Sequence, residues 1–509
     1  GIDFISSAEA PADELQYQNG LSLTPEWDRY PLYWFNVETS PGVFDWAAQD
    51  TAVQGDVSHQ LKTNAILLGT PSFYTTGAPE FNPADPLPRG SLSLTAPQTG
   101  TPMGLYDPIF TDGTDVPGLG KSINPSNVWA RFVFSAVNRY KPGGVLAQAN
   151  NWPQGVGVSY WEMWNEADLS FFWDGTTADY ARLLKVGYLA TRQADPQAKI
   201  LFGGLANSFN HLNFYAEVLN LYSSDPLASD YNDFHDILAT HSYSYAFQSW
   251  FHVDRNRTVQ LNHNFKKPIW LNETGVPAWD DYPGPVWDST SGLRATMAEQ
   301  ANYLIQSTFY SLYGGAEAVF QFQLYDGCGN QPAGTDFPPH NGELCDENGR
   351  LITNPDFPCA GDANGIFRNP TDAVCFTQHP QPETARPVYS AYKLLANTFG
   401  KVEPYWWVRG GQDTQEWIAF YRPDTKERIV GLWALYGEGE TAVLPATADN
   451  ATVYYPNGTI QIIYPTNGHY SLELLGATNQ NAPWDPNLYM IGGRPLILVE
   501  SDPGRVGAP

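Results

Sequence analysis

The sequence predicts an α/β protein: a (β/α)8 TIM barrel followed by a C-terminal antiparallel β-sandwich. Three observations carry that expectation. Between about residues 20 and 325, short β-branched or aromatic runs alternate with longer helical stretches, the order of parallel strands joined by crossover helices. After about residue 398 the pattern changes to short alternating segments separated by turns such as Pro456-Asn457-Gly458. The chain's 509 residues also exceed one ordinary core, while leaving room for a barrel of roughly 250 to 400 residues.

Barrel strands are expected at Leu32–Phe35, Asn64–Leu68, Val156–Trp164, Ile200–Phe202, Ile237–His241, Pro268–Leu271 and Ala318–Leu324, with one more before Asp28 to complete eight. Crossover helices are expected at Asn127–Tyr140, Thr177–Gln193, Phe214–Leu221 and Leu293–Tyr313. Sandwich strands are expected at Trp417–Tyr421, Ile429–Tyr436, Ala451–Tyr455, Ile460–Tyr464, His469–Glu473 and Pro495–Val499. The domains then run over residues 21–397 for the barrel and 398–509 for the sandwich, and residues 1–20 either join the β domain or cap the barrel. Two connections, about residues 70 to 125 and 326 to 385, are far longer than a barrel turn needs. Both follow candidate strands, which puts them at the C-terminal face where barrel sites form and where they are expected to wall in a pocket.

Composition narrows the partners. Apolar residues make up 42% of the chain and charged residues 16%, the balance of a globular protein rather than a disordered one. Acidic residues outnumber basic ones 54 to 27, for a formal charge of -27, so nucleic acid would be repelled over most of the surface. No run of 18 apolar residues is present, so no membrane-spanning helix is expected, and Gly1 without Met reads as a processed start. Cys328, Cys345, Cys359 and Cys375 share one polar segment, which reads as two local disulfides of undetermined pairing and a secreted or periplasmic location. Zinc is the rival for these cysteines, but there is no CxxC pair to support it. Asn256, Asn450 and Asn457 begin glycosylation sequons.

Two glutamates carry the chemistry. Glu166 ends the strand-like run Tyr160-Trp161-Glu162-Met163-Trp164-Asn165-Glu166, and Glu273 ends Pro268-Ile269-Trp270-Leu271-Asn272-Glu273 ahead of Thr274-Gly275. A barrel places both carboxyls at its catalytic rim. One can protonate a leaving oxygen while the other attacks an anomeric carbon. Glu162 shares strand parity with Glu166 and so is expected to point into the barrel, as an ion-pair partner or deep in the site.

The pair and its flanks resemble clan A of the glycoside hydrolases, in which an Asn-Glu dipeptide ends strand four and a second Glu ends strand seven. The resemblance covers about residues 20 to 400 and implies that Glu166 is the acid/base and Glu273 the nucleophile of a retaining enzyme. It reaches Arg29-Tyr30-Pro31-Leu32-Tyr33-Trp34 and Pro41-Gly42-Val43-Phe44-Asp45-Trp46, similar to the second-strand region of these enzymes, and implies that Arg29 hydrogen-bonds the nucleophile. By the same resemblance, His241 binds sugar, Tyr243 contacts the nucleophile and Asn165 bonds the sugar 2-hydroxyl. Trp34, Trp164, Trp173 and Trp279 are candidates for stacking on sugar faces, since aromatics make up 14% of the chain. Family 39, with its β-xylosidases and β-rich accessory domains, is the nearest pattern, although this chain reads Asn165-Glu166-Ala167-Asp168 where those enzymes commonly read Asn-Glu-Pro. The implied activity is exo-acting hydrolysis of plant or microbial oligosaccharides or polysaccharides, with no metal or organic cofactor. An endo-acting glycanase or transglycosylase would use the same residues, and a catalytically silent carbohydrate-binding protein is the rival of another class.

Overall fold

A computed structural model describes residues 1–75, 99–243, 245–278, 280–281, 295–326, 363–368, 380–480, 485–507 and 509. The cysteines and Trp279 lie outside the described residues.

Eight strands close into a barrel: β1 (Ile2–Asp3), β2 (Trp27–Tyr33), β3 (Lys62–Leu68), β4 (Tyr160–Asn165), β5 (Lys199–Leu205), β6 (Ile237–Tyr243), β7 (Ile269–Gly275) and β8 (Ala318–Gln321), in the order β1-β8-β7-β6-β5-β4-β3-β2. Each is followed by a helix: α1 (Glu14–Leu21), α2 (Ala47–Ser58), α3 (Val128–Tyr140), α4 (Thr177–Ala194), α5 (Phe214–Tyr222), α6 (Gln248–Asn262), α7 (Met297–Tyr313) and α8 (Pro387–Thr398). The strands are covered on both faces, so they are buried almost end to end and read as apolar runs rather than alternating ones. Local chemistry marks the helix starts. Thr176 with Asp179 and Thr296 with Glu299 form reciprocal capping boxes, the Asn127 side chain caps α3, and Pro387 opens α8.

The first strand comes from the extreme N-terminus: Ile2 and Asp3 pair in parallel with Asp28 and Arg29. Residues 1–20 thus supply a barrel strand and its helix. Strand β2 starts at Trp27 and ends at Tyr33, earlier than expected, because residues Trp34–Val37 turn into a short helix that carries Trp34 inward.

The C-terminal region is a β-sandwich. One sheet runs β9 (Glu403–Gly410), β10 (Gln415–Arg422), β11 (Glu427–Ala434), β16 (Leu496–Ser501), β13 (Ala451–Tyr454), β14 (Ile460–Ile463); the other pairs β12 (Glu440–Pro445) with β15 (His469–Leu474). All of these pairings are antiparallel. Trp406, Trp417, Leu432, Leu444, Leu472 and Leu498 lie in the shared core. Strands β9 and β12 are additions to the expected set; β12 alternates buried and exposed residues but is interrupted at its ends by Glu440 and Pro445.

By internal contacts the chain divides into Gly1–Leu21, Pro25–His241 and Arg255–Asn272 on one hand, and Ser22–Thr24, Ser242–Asp254 and Glu273–Pro509 on the other. Within the latter, α7 packs on the sandwich: Phe309 fills the space over Gly431, where an added Cβ would stand 2.5 Å from its ring, and Tyr310 donates to Glu416 at 2.5 Å. Among the described residues no helix is long and apolar enough to cross a membrane.

Candidate active site

At the C-terminal end of β4 the backbone leaves regular strand geometry. Trp164 has φ of 73° and Glu166 φ of 45°, left-handed values that side chains rarely adopt and that cluster at functional sites. Two glycines on β5 make room for this distortion. A Cβ on Gly203 would stand 2.6 Å from the Met163 carbonyl, and one on Gly204 would stand 1.9 Å from the His241 ring. The Glu166 amide donates to the Gly204 carbonyl at 2.8 Å, locking the turn to β5.

The Glu166 side chain is held from β6. Its Oε1 lies 2.7 Å from Nδ1 of His241, whose other ring nitrogen lies 3.5 Å from Nη2 of Arg29. A guanidinium can only donate, so Nε2 is assigned as the acceptor and Nδ1–H as the donor to Glu166. His241 is 1% exposed, so it positions Glu166 and does not present an open face to a sugar, which corrects the expected role.

Two residues along β6, Tyr243 donates its phenol to Oε2 of Glu273 at 2.5 Å, the contact the resemblance implies. Around it, Thr274 donates to the Ser242 carbonyl at 2.9 Å, and Tyr303 from α7 donates to the same carbonyl at 2.8 Å. These bonds tie the ends of β6 and β7 together. Glu273 is 8% exposed and Glu166 9%.

Beneath Glu166 lies a buried polar hub that the sequence only half revealed. Arg29 grips Glu162 through Nε and Nη2, both at 2.9 Å, while Nη2 also donates to Oδ1 of Asn165 at 3.1 Å. Glu162 accepts in addition from Asn64, Asn272 and the Gly204 amide. Burial opposes ionisation of Glu162, but the charge of Arg29, then its hydrogen bonds, and behind them His241 and Asn64, hold the carboxyl below the usual glutamate range. Parity had turned Glu162 inward. Asn64 and Asn272 were missed, although Asn272-Glu273 repeats the Asn165-Glu166 dipeptide and was the available signal.

The tryptophans are corrected. Trp34 is fully buried, stacks on Phe132 at 4.9 Å and donates its indole N–H to Glu38. Trp164 and Trp173 meet edge to face at 5.0 Å and are likewise core, the former donating its indole N–H to the Phe172 carbonyl. Their ring faces are consumed by packing and cannot stack on a ligand. The sequon at Asn256 is also buried, with its amide directed at Asn207 and Thr240.

No protein-family model matches the sequence, and no curated protein sequence does. Solved structures do match. A family 39 glycoside hydrolase from the gut symbiont Bacteroides cellulosilyticus WH2 is 16% identical over 96% of this chain and 78% of that one, with a TM-score of 0.57. A monomeric β-xylosidase from Caulobacter crescentus CB15 is 14% identical over 98% and 94%, with a TM-score of 0.52. A family 30 subfamily 8 xylanase from Clostridium acetobutylicum is 11% identical over 98% and 96%, with a TM-score of 0.53. At these identities what is shared is the fold: this chain is built like the family 39 and family 30 glycoside hydrolases, a barrel with a β-sandwich.

Proposed function

We propose that the protein is a retaining glycoside hydrolase of the family 39 kind, with a catalytic barrel that starts at the first strand, Ile2–Asp3, and runs to about residue 397, and an accessory β-sandwich over 398–509. The observation that carries this reading is that glutamates at the C-terminal ends of β4 and β7 are each fixed by a residue of β6, His241 for Glu166 and Tyr243 for Glu273.

In the first step Glu273 attacks the anomeric carbon while Glu166 gives its proton to the departing glycosidic oxygen. In the second, Glu166 takes a proton from water, the resulting hydroxide displaces Glu273, and configuration at the anomeric carbon is retained. The Tyr243 phenol favours the charged form of Glu273 that attack requires. Arg29 orients Asn165 for the sugar 2-hydroxyl. The residues named need no metal or organic cofactor for these steps. The substrate is an oligosaccharide or polysaccharide, met outside the cytoplasm and cut from its end, a reading that rests on two connections, about residues 70 to 125 and 326 to 385, far longer than a barrel turn needs.

The test is hydrolysis of a panel of aryl glycosides (β-xyloside, β-glucoside, β-galactoside and α-L-arabinofuranoside) by wild type and Glu273→Gly, with NMR of the first-formed anomer. Cleavage with retention, lost in the variant, is expected. Inversion, or near wild-type turnover by Glu273→Gly, refutes the mechanism; silence here with cleavage of longer glycans marks an endo-acting enzyme; binding without hydrolysis of any glycan marks a carbohydrate-binding protein.

A further inference from the structure

Two large apolar rings are exposed on the turns that follow β4 and β5, the first of which begins at Glu166. Phe209 is 85% exposed and Phe171 59%, although phenylalanine is among the residues most often buried. Both sit on turns that are tightly held. Phe171 belongs to the turn that Glu166 itself begins: the Leu169 amide donates to the Glu166 carbonyl, and the Phe172 and Trp173 amides to the Leu169 carbonyl. Phe209 belongs to the turn leaving β5, where Asn207 at φ of 57° sends its side-chain amide to Leu205, Thr240 and His241. One side chain joins the two turns: Asp168, between Glu166 and Phe171, accepts from the Ala206 amide through Oδ1 and from the Ser208 amide through Oδ2, both at 3.0 Å. The rings are therefore presented by ordered backbone, and a ligand meeting them need not pay to order it.

We propose that Phe171 and Phe209 form an aromatic platform for the leaving-group side of the substrate, and that its occupant is the pyranose ring released in the first step. The proposal rests on Glu166 being the acid/base. A group that protonates the departing oxygen lies on the departing side of the scissile bond, so the turn it begins and the turn clamped to it by Asp168 flank the leaving group rather than the sugar that becomes bound to Glu273. The apolar C–H faces of a pyranose match an uncharged aromatic ring.

The experiment compares a disaccharide with the glycosyl fluoride of the same non-reducing sugar (xylobiose with β-xylosyl fluoride, cellobiose with β-glucosyl fluoride), using the full-length wild type, Phe171→Ala, Phe209→Ala and the double variant. Fluoride leaves without a sugar ring. The ratio of kcat/KM for disaccharide to that for fluoride is expected to fall about tenfold in the double variant, with melting temperature unchanged. An unchanged ratio overturns the platform while leaving the hydrolase reading intact, as does an equal loss on both substrates. A wild type inert towards every pair overturns the hydrolase reading and this one with it.

Discussion

Asp28 and Arg29 are neighbours in β2 whose side chains take opposite sides of the barrel wall, and the two sides treat buried carboxyls in opposite ways. Inside, Glu162 is completely buried yet ionised, because Arg29 lies across it and Asn64, Asn272 and the Gly204 amide fill its remaining lone pairs. Outside, Asp28 accepts from the Ile5 and Ser6 amides, and Asp56 from Tyr17 and Thr63; these partners are neutral. Burial pushes Asp28 well above the usual aspartate range, with the charge of Asp56 next, and it pushes Asp56 up to about 7. The same degree of burial thus yields an anion in one place and a proton-holding pair in the other. What decides is whether a cation shares the site.

The largest expected effect tests the inner side as machinery. Glu166→Gln should slow cleavage of a disaccharide by about 10²- to 10⁴-fold, and the loss should shrink on aryl glycosides whose leaving groups need no proton. A uniform loss across leaving groups would remove Glu166 from the acid/base role.

Next comes the charge balance. Arg29→Met strands Glu162 as a lone buried anion and should cost about 3–5 kcal/mol in urea unfolding. A change below about 1 kcal/mol would mean that the amide donors alone satisfy Glu162.

Gly204→Ala probes the seam between scaffold and site. The new methyl would overlap the His241 ring, which is held at both nitrogens and cannot simply swing away. A stability loss of about 1–3 kcal/mol is expected, together with a fall in kcat larger than any change in KM, because His241 orients Glu166.

The smallest effect concerns the outer pair and is a pH dependence. A carboxyl whose folded pKa is raised stabilises the fold below its unfolded value, here 3.8 for aspartate, and that contribution disappears as pH rises through the folded value, about 7 for Asp56. Tyr17, Tyr30 and Thr63 surround the pair. Asp56→Asn should therefore raise the melting temperature at pH 8 relative to wild type and do little at pH 4. The reverse ordering would show that the pair is ionised in the folded protein.

Much of this was legible in the sequence because it depends on short-range order. Alternation of strand and helix, the helices expected from about Asn127 and Thr177, and the Asn-Glu ends of two strands are all local patterns, and each is found within a residue or two of where the pattern put it. The two-residue strand Ile2–Asp3 was invisible, since nothing so short has periodicity; only pairing with β2 makes it a strand. Trp34 was misread as a ligand platform because composition cannot distinguish a core ring from an exposed one, whereas the turn at residues Trp34–Val37 can.

The chain order of apolar and polar residues therefore determined the architecture and the positions of the two glutamates at strand ends. Tertiary structure alone decided the rest: that Arg29 binds Glu162, that His241 holds Glu166 over Gly204, that Asp28 and Asp56 keep a proton, and that Phe171 and Phe209 remain in solvent. Those outcomes depend on which side chains from distant segments share a low-dielectric volume, and that is set only when the strands close into a barrel.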